Sequence, residues 1–181
     1  MKSLRWLPVV VALAGLSGCG GAAAAGGDQP DQASTIEQFT QGGVSMEPTV
    51  KSGQVITVVA VDGTYRPRRG DVVLFRPSGG KWGARDTPFL KRVVAIGGET
   101  VACCDAAGNV TVDGAPLDEP YVADNAPLDA PPNPDVCDSR RFGPVKVAKD
   151  DVFVMGDNRA SSNDSRCAGP IPATSVTAVR R

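Results

Sequence analysis

The chain has 181 residues, a net charge of −1 and no histidine. This length is enough for one domain with a buried core, and the balanced charge gives no electrostatic case for binding nucleic acid. The missing histidine excludes a Ser-His-Asp catalytic triad.

The N-terminus has the layout of an export signal. The positive stretch MKSLR precedes a short apolar run from Trp6 to Leu16, and LSGC at Leu16–Cys19 resembles a bacterial lipobox with Cys19 as the lipidated residue. Two alternatives stay open: the uncharged stretch Trp6–Gly27 is long enough to span a membrane as an anchor, or the signal is simply cleaved. All three place the domain outside the cytoplasm, and the first two hold it at the extracytoplasmic face of the cell membrane.

Composition divides the chain into three parts. Residues 1–19 form the export signal or anchor, residues 20–41 a Gly- and Ala-rich flexible tether, and residues 42–181 a folded domain. Within the tether, Ser34–Phe39 is interpreted either as a short helix, with Ser34 and Glu37 as a capping box, or as more tether.

Short Val-rich runs separated by Gly and Pro predict a mainly β domain. Strands are expected at residues 54–61, 71–76, 88–101 with a break at Gly97–Gly98, 152–155 and 174–179, with a hairpin across 103–114. The prediction is about seven strands and almost no helix, arranged as a folded antiparallel β-sheet domain with a smaller β-hairpin extension.

The predicted loop Pro77–Asp86 contains Trp82. Trp is favoured at membrane interfaces, so one interpretation is that Trp82 enters the lipid surface. The alternative is that it packs on its own loop.

Four cysteines lie in the folded domain: Cys103, Cys104, Cys137 and Cys167. Outside the cytoplasm they are expected to form disulfides, and three connectivities are open. Without histidine or a CxxC pair, no zinc site is expected.

A serine and a lysine are the candidate catalytic pair. Ser45 lies in GGVSMEPTV, Gly42–Val50. On a strand, Phe89, Lys91 and Val93 share one face, so Lys91 is flanked by apolar side chains. Burial lowers the pKa of a lysine, and a neutral lysine can be the general base that a serine nucleophile needs. The alternatives are an ordinary turn serine and a lysine whose amine reaches solvent.

The segment MGDNRASSNDSR, Met155–Arg166, follows a predicted strand and is dense in Asp, Asn, Ser and Arg. A polar turn of this kind can satisfy its own backbone through local hydrogen bonds. It also holds Asp157, Asp164 and Arg166, which can form charge-assisted pairs that fix a site.

Together, these segments closely resemble type I signal peptidases, a Ser-Lys peptidase family. The resemblance covers most of residues 42–179 and favours a Gram-positive, actinobacterial type of member. Its motifs, in chain order, are SMEPT at Ser45–Thr49, RRGDVVLF at Arg68–Phe75, KRVVAIGGE at Lys91–Glu99 and GDNRASSNDSR at Gly156–Arg166.

The resemblance implies a membrane-associated serine endopeptidase that cleaves signal peptides from exported preproteins after small residues, at Ala-x-Ala sites. Ser45 would be the nucleophile, Lys91 the general base, and the Ser162 hydroxyl would contact and orient the Lys91 amine. The implied supporting pairs are Arg92 with Asp157, and Asp164 with Arg166.

The resemblance also implies how the substrate binds. The Ser45 backbone N–H would bind the oxyanion, and Gly43 stands where some members carry a serine whose hydroxyl is a further donor. Losing one such donor costs about 100-fold or more in rate where nothing replaces it. Shallow apolar pockets are expected near Gly43, Val44 and Val93, beside a substrate that adds as an extended strand.

No metal or organic cofactor is expected. The implied partners of a monomeric enzyme are exported preproteins and the membrane lipid surface, with no nucleic acid.

Two rival functions share features with this sequence. Self-cleaving repressors use the same Ser-Lys chemistry, but they are cytoplasmic and bind DNA, which conflicts with the export signal. A catalytically silent lipoprotein would keep the β fold as a binding module, because a fold does not guarantee an activity. That hypothesis predicts the loss of Ser45, Lys91 or Ser162, and all three are present.

Overall fold

The fold consists of two antiparallel β-sheets, seen in a computed structural model that describes residues 35–77, 79–83, 88–123, 125–129, 137 and 139–181. Ala33–Arg181 forms one compact unit. The strands of the described residues are β1 Ile36–Thr40, β2 Val55–Ala60, β3 Val72–Phe75, β4 Phe89–Ile96, β5 Thr100–Cys103, β6 Val110–Val112, β7 Ala115–Pro116, β8 Phe142–Lys146, β9 Asp151–Met155, β10 Ile171–Pro172 and β11 Val176–Arg180. A short helix, α1, spans Ser165–Ala168.

The larger sheet has the strand order β1-β2-β11-β3-β4-β9-β10, and the smaller sheet has the order β7-β6-β5-β8. The predicted mainly antiparallel β fold is therefore confirmed. The hairpin extension is larger than expected, because β7 and β8 flank the β5–β6 pair and complete a four-stranded sheet.

The predicted break at Gly97–Gly98 separates the two sheets. Gly98 has a φ of 92°, and a Cβ added to Gly97 would lie 1.9 Å from the Lys149 carbonyl oxygen. A side chain at Gly97 would therefore collide with the connection between β8 and β9, so the chain can turn this closely only at glycine.

The structure has strands at positions where the sequence analysis expects none. The segment interpreted as a short helix or tether contains β1, which pairs with β2 from Ile36↔Val59 to Thr40↔Val55; Ser34 itself lies outside the described residues. Strand β8 was not predicted, because Gly143 and Pro144 interrupt its apolar pattern.

The sheet that carries the candidate site is buried on both faces at its centre. In β3, Val72 and Leu74 belong to one cluster of buried side chains, and Val73 and Phe75 belong to another. This explains why β3 has a continuous apolar sequence without alternation. Val73 pairs with Lys91 of β4, so the lysine lies at the centre of the packed sheet.

The structure pairs Cys103 with Cys104 and Cys137 with Cys167, the second with a Cα–Cα distance of 5.5 Å. The Cys137–Cys167 bond ties the segment before β8 to α1. Cys19, the predicted export signal and most of the predicted tether lie outside the described residues. Within the part of the chain that the structure describes, no helix is long and apolar enough to cross a membrane.

Candidate active site

The Ser45 loop is anchored on both sides by buried residues. Met46, next to the serine, is fully buried among apolar side chains that include Leu74 and Leu90. On the other side, the buried Gln41 side chain donates to the Gly43 carbonyl at 2.8 Å. Ser45 itself is half-buried, so the fold holds its backbone while leaving the residue partly accessible.

Ser45 and Lys91 lie in direct contact, with 2.8 Å between the Lys91 Nζ and the Ser45 Oγ. The Lys91 side chain is only 4% exposed. Burial lowers its pKa to about 8, an effect that Asp164 and Asp157 oppose and Arg166 reinforces. A usable fraction of the amine, on the order of one in ten, is therefore neutral at pH 7 and can accept a proton from the serine.

The two ion pairs expected from the resemblance are present. Arg92 donates to both carboxylate oxygens of Asp157, at 2.8 and 2.7 Å. Arg166 likewise contacts both oxygens of the fully buried Asp164. Burial alone would raise the pKa of Asp164, but the Arg166 charge and hydrogen bonds outweigh this and lower it. Asp164 also accepts from the Gly156 N–H at 3.1 Å, which ties the turn after β9 to α1.

Ser162 reaches the site, but its hydroxyl is not paired with Lys91. It is 2% exposed, and its Oγ has no hydrogen-bond partner among the described residues. A Cβ added to Gly156 would lie 2.2 Å from that Oγ and 2.4 Å from the Ser45 carbonyl oxygen. Gly156 thus lets Ser162 pack against the nucleophile's backbone, and the orienting role of Ser162 stays a prediction.

The predicted substrate-facing residues differ in position. Gly43 and Val44 are exposed beside Ser45, and a Cβ at Gly43 would meet nothing within 4 Å. Val93 has no exposed surface and packs in the core with Val73. The prediction that Val93 lines a substrate pocket is therefore not supported, because its side chain belongs to the sheet interior.

Trp82 does not extend into solvent. Its indole N–H donates to the Gly169 carbonyl at 3.1 Å, and its ring makes edge contacts with Phe75 and Phe89. The side chain is 8% exposed, so the membrane-interface interpretation is wrong and Trp82 belongs to the core behind β4.

Sequence reasoning did not identify Glu119, Tyr121 and Arg159 as parts of the site. Arg159 is 2% exposed and forms an ion pair with Glu119. The Arg92 guanidinium lies 4.0 Å from the Tyr121 ring centroid. Glu119 and Tyr121 come from a Pro-rich segment in which the sequence predicts no strand. The sequence shows a charged and an aromatic residue in this segment, but it does not indicate which residues they contact.

Comparison with known proteins identifies the family of the chain. A family model described as "Signal peptidase, peptidase S26" matches residues 32–181. A signal peptidase I of Mycobacterium tuberculosis is 38% identical over 162 residues, covering 72% of this chain. A probable signal peptidase I-2 of Synechocystis is 36% identical over 130 residues, covering 71%.

These two relatives are longer than the chain, and the matched region covers 54% and 53% of them. The chain therefore spans about half the length of each. A solved structure of a signal peptidase I from Enterococcus faecalis is 26% identical, with a TM-score of 0.43, and covers 64% of this chain and 97% of its own.

Proposed function

The chain belongs to the signal peptidase family, and on that premise we propose that it is a membrane-associated serine endopeptidase that removes signal peptides from exported preproteins. Cleavage follows a small residue, typically the last alanine of an Ala-x-Ala site. The observation that carries this proposal is the 2.8 Å contact between the Ser45 Oγ and the buried Lys91 Nζ.

The proposed reaction begins with proton transfer from the Ser45 Oγ to the neutral Lys91 amine. The Ser45 Oγ then bonds to the scissile carbonyl carbon, and the negative charge on the carbonyl oxygen is stabilised by the Ser45 N–H. Within the described residues, this N–H donates to no other acceptor, which leaves it free for the substrate. Protonated Lys91 gives its proton to the leaving amine as the C–N bond breaks, which leaves the acyl group on the Ser45 Oγ. Lys91 next removes a proton from water as the water oxygen bonds to the acyl carbon, and it then returns that proton to the Ser45 Oγ as the acyl–serine bond breaks.

The substrate is proposed to bind as an extended strand beside the exposed Gly43–Val44 segment, where backbone hydrogen bonds would fix its register. Gly43 and Val44 also offer the small apolar surface that an alanine side chain needs. Exposed Val44 adjoins the serine, so the site opens toward solvent at this side.

We place the enzyme at the extracytoplasmic face of the cell membrane, held by a lipidated Cys19 or by an N-terminal anchor. The lipobox-like LSGC and the uncharged stretch Trp6–Gly27 that contains it support this placement. Metabolic labelling with a fatty-acid analogue, compared between wild type and Cys19→Ala, separates the two: loss of label with Cys19→Ala supports lipidation, and an unlabelled wild type favours the anchor.

Cleavage of a purified preprotein with an Ala-x-Ala site tests the proposed function. The full chain is assayed in detergent beside Ser45→Ala and Lys91→Met. We expect cleavage after the final alanine by the wild type alone, identified from the product masses. A folded wild type that cleaves none of several preproteins would instead support a silent binding module.

A further inference from the structure

The Arg159 guanidinium occupies an unusual position for a charged group. It is 2% exposed and is among the largest fully buried side chains of the described residues. A buried cation is tolerated only when an anion and hydrogen-bond acceptors surround it. Two groups meet this need: its Nε donates to the Gly156 carbonyl at 2.8 Å, and both terminal nitrogens donate to Glu119.

Glu119 reaches Arg159 from a distant part of the chain. It follows β7 of the smaller sheet, whereas Arg159 lies in the turn after β9 of the larger sheet. Its carboxylate accepts from both terminal nitrogens of the guanidinium, the planar bidentate geometry that fixes direction as well as distance. The Tyr121 hydroxyl donates to the same carboxylate at 3.0 Å. The Tyr121 hydrogen bond therefore helps to fix the position of the Glu119 carboxylate that binds Arg159.

The turn that Arg159 supports touches the nucleophile. The Asn158 N–H, next in the chain, donates to the Ser45 carbonyl at 3.1 Å. Gly156 packs so closely on the Ser45 carbonyl and the Ser162 hydroxyl that no Cβ fits. A change in the direction of the Gly156 carbonyl would move both contacts.

These contacts lead us to propose that Glu119 is a positioning residue of the Ser-Lys site. Its carboxylate fixes Arg159, Arg159 fixes the Gly156 carbonyl, and the resulting turn sets where Ser45 lies relative to Lys91. Glu119 does not touch the reacting atoms. The inference rests on the proposed peptidase function and adds that the segment after β7 controls the geometry of the catalytic pair.

A displacement of about 1 Å in a catalytic site can cost on the order of 100-fold in rate. Glu119→Asp keeps the charge and withdraws the carboxylate by one methylene group, so it tests geometry without leaving the buried arginine unpaired. Glu119→Gln keeps the length and removes the charge. Asp118→Asn is the matched control, since the neighbouring Asp118 is exposed.

Steady-state cleavage of an Ala-x-Ala preprotein is the first readout. We expect Glu119→Asp to lower kcat by about 10- to 100-fold with KM changed by less than about threefold. The pH midpoint of kcat/KM should stay that of the wild type, because positioning does not act through the charge of Lys91. The proposal would be overturned if folded Glu119→Asp and Glu119→Gln had the same kcat as the wild type. It would also be overturned if these substitutions changed only KM.

Amide hydrogen exchange of the full chain in detergent is the second readout, and it does not depend on cleavage. In Glu119→Asp, protection of the Gly156 and Asn158 amides should fall at least tenfold while the β4 and β9 amides keep theirs. Asp118→Asn should match the wild type. Unchanged protection at Gly156 and Asn158 would overturn the positioning proposal, whether or not the wild type cleaves the preprotein. Absence of cleavage by the wild type would by itself contradict only the proposed peptidase function.

Discussion

Replacing Lys91 with methionine should stabilise the folded protein at neutral pH. Lys91 is 4% exposed, and burial lowers its pKa from 10.5 to about 8. One pKa unit corresponds to about 1.4 kcal/mol, so the protonated amine destabilises the folded state by about 3 kcal/mol. Methionine fills a similar space without a charge, so Lys91→Met removes this penalty together with the proposed general base.

The penalty has a defined pH dependence. The folded-state pKa of Lys91 is lower than its unfolded-state pKa, so below about pH 8 both states bind the proton and the whole penalty is present. Between about pH 8 and 10.5 the unfolded state binds the proton more tightly, and the stability of the wild type rises with pH through this window. Above it both states are neutral and the penalty is gone.

Urea unfolding of wild type and Lys91→Met across this window measures the effect. The difference in free energy of unfolding should favour Lys91→Met at pH 7 and shrink by about 2 kcal/mol or more by about pH 10. Taking the difference cancels other titrating groups. Ser45→Ala, which keeps the lysine, should differ from wild type by a nearly constant amount. A Lys91→Met difference that is independent of pH would refute the buried, lowered-pKa lysine.

Three further substitutions test other parts of the site. Gly156→Ala should abolish cleavage in a protein that still folds, because its Cβ collides with Ser162 and the Ser45 carbonyl; wild-type kcat would show that the packing is not needed. Gly43→Ser should raise kcat above that of Gly43→Ala, since a Cβ at this position meets nothing within 4 Å and the added hydroxyl would supply a further oxyanion donor. Equal kcat values would contradict this. Trp82→Ala should lower the unfolding free energy by about 3–5 kcal/mol and leave vesicle binding unchanged; weakened vesicle binding at intact stability would restore a membrane role.

The strands that could be predicted are those with an apolar sequence pattern that indicates burial. Strands β2, β3 and β4 each contain two or more Val residues and have a neighbouring strand on both sides in the larger sheet. The edge strand β1 has only Phe39 packed against the core, so its pattern is weak. Strand β8 contains Gly143 and Pro144, which are typical of turns.

In the candidate site, the catalytic pair was easier to predict than the residues that hold it in position. Strand alternation indicated that Lys91 is flanked by apolar side chains, and the family resemblance selected Lys91 together with Ser45. The Glu119–Arg159 pair joins the segment after β7 to the turn after β9, 40 positions further along the chain. No local pattern of either segment contains that contact, so it requires the tertiary structure.

The pH dependence of kcat/KM for one preprotein tests the central claim most directly, since kcat/KM reports the ionisations of the free enzyme. If neutral Lys91 activates Ser45, kcat/KM should rise tenfold per pH unit below about pH 8 and level off above it. Ser45→Ala and Lys91→Met should show no measurable cleavage at any pH. A profile that is flat from about pH 6 to 9, or cleavage by Lys91→Met at the wild-type rate, would contradict the Ser-Lys mechanism.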